Sequence, residues 1–246
     1  MPITISKQIN LSSASASVKN NSNNSVMIFN LPVMKTEKNI LYNQVSLIHA
    51  QIPRSYYTVN ETNNLLVLST GSYTLTNGNY NATTFKTMVL GLIGSSYTMT
   101  FTMSTGKYTL TKSGGYTILS TTTCYKLLGL EKNKSYVVAS SLTMPYPCNF
   151  LGPNRIKIKS GILKTDNLDS NNGGHCDLLA TIPVDESQYA LITYENIIGF
   201  KNTITNTDIT FIDITLTDES DNIMDFNGVD VYLTLQLDSI ITDFEN

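Results

Sequence analysis

The pattern that most restricts the fold is an alternation of apolar and polar residues near the C-terminal end of the sequence. The apolar residues are Val229, Val231, Leu233, Leu235 and Leu237, and the residues between and after them are Asp230, Tyr232, Thr234, Gln236 and Asp238. Successive side chains of a β-strand point to opposite faces of the sheet, so these residues predict a strand with one apolar and one polar face. A strand of this kind belongs to a sheet that covers a core on one side.

Other segments also read as strands, and long, irregular connections separate them. They comprise residues 25–31, 40–53, 155–159, 176–184, 189–194 and 208–216. Within 40–53 we expect Ile48, Ala50 and Ile52 to share one face of the strand. The sequence outside its middle part therefore holds about eight strands that do not alternate with helices, which predicts an antiparallel sandwich with Greek-key connections.

The composition agrees with a β-rich fold built around one large domain. Of the 246 residues, 41% are hydrophobic and only 14% are charged, with 14 Tyr and no Trp. β-Branched and aromatic residues suit pleated, half-buried surfaces better than helices. Because a free monomer usually carries more surface charge, the low charged fraction indicates that neighbouring subunits cover part of the surface.

The middle of the chain, residues 61–145, has a mixed pattern that predicts an α+β insertion. Asn81 is a suitable N-cap for a helix whose apolar residues are spaced three and four apart, namely Phe85, Met88, Val89 and Leu92. Residues 97–111 predict a hairpin, and a second short helix ends near Gly129. We therefore expect one domain over residues 25–246, with 61–145 as a possible inserted lobe.

Residues 1–24 are small and polar and lack any periodicity, so they predict a flexible N-terminal arm. One interpretation is a frayed terminus. The alternative is an arm that becomes ordered on neighbouring subunits or points inward toward a genome.

Charge and hydropathy argue against nucleic-acid and membrane partners, and the cysteines indicate the compartment in which the protein is made. The formal net charge is −3, and Arg54 and Arg155 are the only arginines, whereas nucleic-acid binding relies on clustered basic residues. No run approaches the ~18 apolar residues of a membrane span, and the first residues lack the apolar core of a signal peptide. Cys124, Cys148 and Cys176 form no CxxC pair, which favours reduced thiols in a protein made in the cytosol.

The sequence offers little for catalysis, and we assign no catalytic, cofactor-binding or metal-binding residue. His49 lies in the middle of a predicted strand, where a hydrogen-bonded structural histidine is the default interpretation. His175 precedes Cys176, but adjacent strand residues point to opposite faces, which does not suit a cysteine and its base. Motifs of serine hydrolases, zinc proteases, P-loop proteins and dinucleotide-binding proteins are absent from the sequence.

The C-terminal part is acidic. Residues 208–246 hold ten of the 19 acidic residues and no Lys or Arg, and several of the carboxylates fall in one turn, residues 218–230. Clustered oxygen ligands on a loop suit calcium, although the spacing differs from that of an EF-hand. The other interpretations are a solvated turn reversed at Asn227-Gly228 and an acidic rim that pairs with lysines of a neighbouring subunit.

Five segments, taken in order, resemble the penton proteins of virophages, Polintons and Polinton-like viruses. They are IPRSYYTVNETNN (52–64), GNYNATTF (78–85), KLLGL (126–130), LLATIPV (178–184) and DFNGVDVYLTLQLD (225–238). In that family they correspond to the exit from a long strand, the turn into a helix, a later short helix and the later strands. The order and spacing of the segments are more specific than any one of them.

The resemblance implies a single jelly roll that forms homopentamers at the vertices of an icosahedral capsid. It implies a structural, non-enzymatic protein of the virion, made in the host cytoplasm, without cofactors. Its partners would be its own copies, double-jelly-roll major capsid proteins and other capsid proteins. The alternatives are a jelly-roll attachment or carbohydrate-binding protein, and a minor cement protein of a virion.

Overall fold

The structure, a computed structural model, describes residues 2–19, 23–31, 40–165, 177–204 and 209–242. The first elements are β1 (Pro2–Ser12), a 3-10 turn (Ser13–Ser15), β2 (Val18–Lys19), β3 (Val26–Asn30) and β4 (Ile40–Pro53). The central elements are β5 (Leu65–Leu68), β6 (Gly71–Thr74), α1 (Ala82–Ile93), β7 (Tyr97–Thr102), β8 (Lys107–Lys112), β9 (Tyr116–Ile118), α2 (Tyr125–Leu128), β10 (Tyr136–Val138) and β11 (Ser141–Thr143). The last elements are β12 (Arg155–Lys159), β13 (Leu178–Pro183), β14 (Leu191–Glu195), β15 (Asn202–Ile204), β16 (Phe211–Thr217) and β17 (Tyr232–Thr242).

The chain divides into two compact units. Unit 1 combines Met1–Tyr56 with Pro153–Asn246, and unit 2 is Tyr57–Gly152. The sequence indicates residues 61–145 as a possible insertion, and the compact unit extends a few residues further at both ends.

Unit 1 is a jelly roll, as its strand pairing shows. One sheet has the order β1-β17-β4-β14, with β15 also paired to β4, and the other has the order β13-β12-β16-β3-β2. Leaving aside the short β2, the antiparallel pairs are nested along the chain: β1 with β17, β3 with β16, β4 with β14 and β15, and β12 with β13. Nested pairs distributed over two sheets define a jelly roll. The predicted fold class, an all-β jelly roll with an α+β elaboration in mid-chain, is confirmed.

The core of unit 1 lies between the inner faces of these two sheets. On β17 the predicted apolar face is buried at Leu233, Leu235 and Leu237. These residues belong to one cluster with Ile212 and Ile214 of β16, in the opposite sheet. Val229 differs from the prediction, since it precedes the strand and is exposed.

Strand β4 departs from the predicted alternation. Leu235 of β17 faces Leu47, whereas the preceding Thr234 faces His49, so Ile48 is an extra residue without a counterpart. A bulge of this kind shifts the faces of a strand by one residue. The buried apolar residues are therefore Val45 and Leu47 before the bulge and Ala50 and Ile52 after it, and the prediction that Ile48 shares their face is wrong.

The flexible arm predicted for residues 1–24 is wrong for Pro2–Ser12. These residues form β1, which pairs with β17 along its whole length. Only Leu11 of this strand is buried, so backbone hydrogen bonds hold it more than burial does. A composition of small polar residues does not reveal such an edge strand. Residue 1 and residues 20–22 of the predicted arm lie outside the described residues.

Unit 2 is an α+β unit with its own core. Its sheets have the orders β10-β9-β5-β6 and β11-β8-β7. The Asn81 side chain accepts hydrogen bonds from the Thr83 and Thr84 backbone N–H groups and so caps α1. Phe85, Val89 and Ile93 of this helix are buried in the core. In the described part of the chain no helix is long and apolar enough to cross a membrane.

Gly129 ends α2 in a conformation that only glycine fits there. Its φ is +82°, and a Cβ built on it would lie 2.1 Å from the Tyr146 carbonyl oxygen. The Tyr146 N–H donates to the Gly129 carbonyl oxygen at 3.0 Å, so the two segments cannot separate without losing this bond.

We expect Gly129→Ala to destabilise unit 2 by about 3 kcal/mol or more, because left-handed strain adds to a backbone clash. Gly114→Ala is the matched control. Gly114 has the same φ of +82°, and nothing lies within 4 Å of its added Cβ, so strain alone should cost about 1 kcal/mol. Urea unfolding of both variants measures the difference, and equal losses would contradict the clash.

Candidate functional site

The histidine and cysteine candidates do not form a catalytic group in the described residues. His49 is half-buried on β4 and lies opposite Glu195 of β14 in the register of the two strands. Cys124 lies in the core of unit 2, where burial raises the pKa of its thiol to about 12. Burial is also the largest cause of the raised pKa of Cys148. A protonated thiol is a weak nucleophile. His175 and Cys176 lie outside the described residues.

In the acidic turn, Asp218 and Asp221 are engaged within the chain. Asp218 accepts hydrogen bonds from the backbone N–H groups of Ser220 and Asn222, at 2.8 and 2.9 Å. Asp221 forms ion pairs with Lys157 and Lys159 of β12, at 3.0 and 2.9 Å. The hydrogen bond from Lys159 is the largest cause of the lowered pKa of Asp221. The acidic turn therefore pairs with two lysines of its own chain.

Two further carboxylates of the turn, those of Asp225 and Asp230, also accept hydrogen bonds within the chain. Asp225 accepts from the Asn227 N–H at 2.8 Å. Asp230 accepts from the Ser13 hydroxyl at 2.6 Å and from the Asn24 amide at 3.3 Å. Their carboxylates thus have separate partners, and no group of three or more His, Cys, Asp or Glu within the described residues could hold a metal ion.

Several of the exposed large apolar side chains of unit 1 lie in one stretch at an edge of the sandwich. Between β13 and β15, five large hydrophobic residues are exposed, namely Tyr189, Leu191, Ile197, Ile198 and Phe200. Three exposed carboxylates lie among them, those of Asp185, Glu186 and Glu195. Residues 185–200 are called the acidic edge below. Apolar and aromatic residues with interspersed charges are typical of a protein–protein interface.

A hydrogen-bond network holds the β14–β15 loop at this edge. The Asn196 amide donates at 2.8 Å both to the Ser46 hydroxyl oxygen and to the Phe200 carbonyl oxygen. The Phe200 N–H donates back to the Asn196 side chain at 3.1 Å. Ile197 and Ile198 are 90% and 87% exposed on this ordered loop, so the fold presents them to solvent instead of burying them.

An ion pair anchors the end of the same loop. Lys201 donates to Asp238 of β17 at 2.6 Å, and Gln236 donates to the same carboxylate at 3.0 Å. Asp238 is only 1% exposed, although the alternation of β17 predicts a solvent-facing position. Burial acts to raise the pKa of Asp238, but hydrogen bonds from Lys201, Ser6 and Gln236 outweigh it and lower the pKa.

The other side of the sandwich has the opposite charge. β1 and β2, called the basic edge below, carry exposed Lys7 and Lys19 and exposed apolar Ile3 and Val18. Residues 2–31 contain no acidic residue. Sequence reasoning missed both edges. For the acidic edge, the available signal was the run Ile197-Ile198-Gly199-Phe200, which is more apolar than an ordinary solvated loop.

The comparisons with known proteins find a likeness among solved structures. No protein-family model matches the sequence, and none of the curated proteins matches it. Among solved structures, the chain is similar to a crystal structure of the SeMet-labelled mavirus penton protein. The two share 12% identity with a TM-score of 0.48, over 97% of this chain and 99% of that chain.

We expect Asp238→Asn to destabilise unit 1 by about 1–2 kcal/mol at neutral pH, because charged hydrogen bonds are lost. Since the folded pKa lies below the unfolded value of about 3.9, the carboxylate contributes stability above that value. The contribution is lost as the pH falls through the folded pKa. Urea unfolding at pH 7 and in steps below pH 4 measures this.

Asp225→Asn is the control, since Asp225 is exposed and accepts a hydrogen bond from the Asn227 N–H of its own turn. It should change stability little at either pH. A loss in Asp238→Asn that stays constant down to the lowest pH would contradict the assigned role of the carboxylate.

Proposed function

We propose that this chain is a structural capsid protein that forms the pentameric vertex, the penton, of an icosahedral virion. The observation that carries the proposal is where the five penton-like segments fall on the fold. The first spans the end of β4, the second leads into α1, and the third covers most of α2. The last two enter or form β13 and β17. Their order along the sequence is thus matched by the elements that the resemblance implies.

Physical features of unit 1 support an assembled state. Jelly rolls are a common architecture of capsid proteins. The acidic edge exposes several large apolar side chains, among them Ile197, Ile198 and Phe200 of the loop that Asn196 holds, and exposed apolar patches are often contact sites for other proteins. Five copies of one chain can close into a ring through a repeated contact between two different surfaces.

In this role the chain acts by binding and has no catalytic residue or cofactor. Its partners would be further copies of itself and the major capsid protein around each vertex. It would reside in the virion after synthesis in the host cytoplasm. A lectin-like attachment protein and a cement protein are the competing roles, and symmetry separates them from a vertex protein.

We expect the purified protein to assemble into pentamers, read as a fivefold mass by native mass spectrometry and as fivefold rings in negative stain. A stable dimer or trimer would contradict the vertex role and favour an attachment or cement protein. In parallel, a cryo-electron microscopy reconstruction of virions should place the chain at the fivefold axes. Density at any other position would overturn the proposal even if the isolated protein is monomeric.

A further inference from the structure

The two lateral edges of unit 1 have unlike charge. Residues 177–200 contain four acidic residues, Asp177, Asp185, Glu186 and Glu195, and no Lys or Arg. Residues 2–31 contain Lys7 and Lys19 and no Asp or Glu. Asp177 pairs with Lys159 of its own chain at 3.6 Å, whereas Asp185, Glu186 and Glu195 are exposed. The two segments thus carry charges of opposite sign. Basic groups also border the acidic segment: Arg54 donates to the Glu186 carbonyl oxygen, Arg155 of β12 lies opposite Pro183, and Lys201 is held by its ion pair with Asp238.

The topology places these charges at opposite ends of both sheets. One sheet runs from β1 to β14 and β15, and the other runs from β2 to β13. β1 and β2 are joined through the short 3-10 turn, and the Asn202 amide of β15 donates to the Leu179 carbonyl oxygen of β13 at 3.1 Å. Each edge is therefore a composite of both sheets, one basic and one acidic.

Apolar residues accompany the charges on both edges. The acidic edge presents Ile197, Ile198 and Phe200 on the loop that Asn196 holds, and the basic edge presents Ile3 and Val18. Burying apolar side chains supplies most of the affinity of an interface, while complementary charges set its orientation and partner choice. Both ingredients are present on this one chain.

We propose that the acidic edge of one copy of this chain binds the basic edge of the next copy. A contact between two different surfaces at opposite sides of a subunit repeats head to tail and closes into a ring when its rotation allows. The proposal rests on the proposed function for its pentameric stoichiometry. A second copy is the occupant that the observations favour, because the complementary charge lies on the same chain.

A charge-exchange experiment tests the pairing. Glu195→Lys and Lys19→Glu should each weaken self-association at least about tenfold, since each places like charges opposite one another. The double variant with both substitutions should recover most of the association. The two residues lie on opposite edges, so their recovery requires that edges of different copies meet.

The matched control separates pairing from net charge. Glu195→Lys combined with Lys132→Glu has the same net charge as the recovering variant, but Lys132 lies in unit 2. This control should stay as weakly associated as Glu195→Lys alone. Replacing Ile197 and Ile198 by Ser should also weaken association, because both side chains are already exposed and the fold loses little. Sedimentation velocity over a concentration series measures each variant, with circular dichroism to verify folding.

Zero-length carbodiimide cross-linking identifies the contact directly. It joins a lysine amine to a carboxylate that lies within ion-pair distance. In a mixture of ¹⁴N- and ¹⁵N-labelled protein, we expect cross-links of mixed isotope between Lys19 and the carboxylates of Asp185, Glu186 or Glu195.

The outcomes separate this inference from the proposed function. Fivefold rings that persist in all edge variants would overturn the edge pairing and leave the vertex role intact. A protein that stays monomeric at the highest concentration reached, without mixed cross-links, would overturn the pairing and assign the acidic edge to another protein. A symmetric dimer through one edge would overturn both.

Discussion

Unit 1 depends on the backbone hydrogen bonds that β17 makes to strands on both of its sides. β17 pairs with all eleven residues of β1 and with most of β4. Its inward residues Leu233, Leu235 and Leu237 supply part of the core, and its outward Asp238 anchors the β14–β15 loop through Lys201. Among the described strands, β1 has no other partner. The core, one edge and the exposed loop therefore all depend on the position of this one strand.

Periodicity predicted the elements that bury one face. It failed for elements whose position depends on pairing with a strand far away in the sequence. The alternation over β17 and the Asn81 cap of α1 report burial and capping, which are local and visible in the sequence. β1 is held by a ladder to residues more than 200 positions away, and no local pattern records such pairing. The bulge at Ile48 likewise arises from the register between β4 and β17, so alternation alone places the wrong residue in the core.

The candidate surfaces were less predictable than the fold. The acidic turn is visible as a cluster of carboxylates, yet its partners, Lys157 and Lys159, come from a distant strand. The alternation of β17 places Asp238 on the solvent-facing side of the strand. Its side chain is nevertheless buried and bonded to Lys201 at the end of the β14–β15 loop. The acidic edge depends on which strands become terminal in each sheet. Charge and hydrophobicity are local properties of a sequence, whereas the grouping of residues on an edge is a property of topology.

The interruption of unit 1 by unit 2 has a consequence for synthesis on the ribosome. All of unit 2 lies within Tyr57–Gly152, so it can fold once that continuous stretch has emerged. β4 is translated before unit 2, but its partners β14, β15 and β17 are translated after it. During that interval Val45, Leu47, Ala50 and Ile52 lack the sheet that later buries them, a state in which nascent chains aggregate readily. The sheet that covers the apolar face of β4 is therefore complete only after the last strand has been translated.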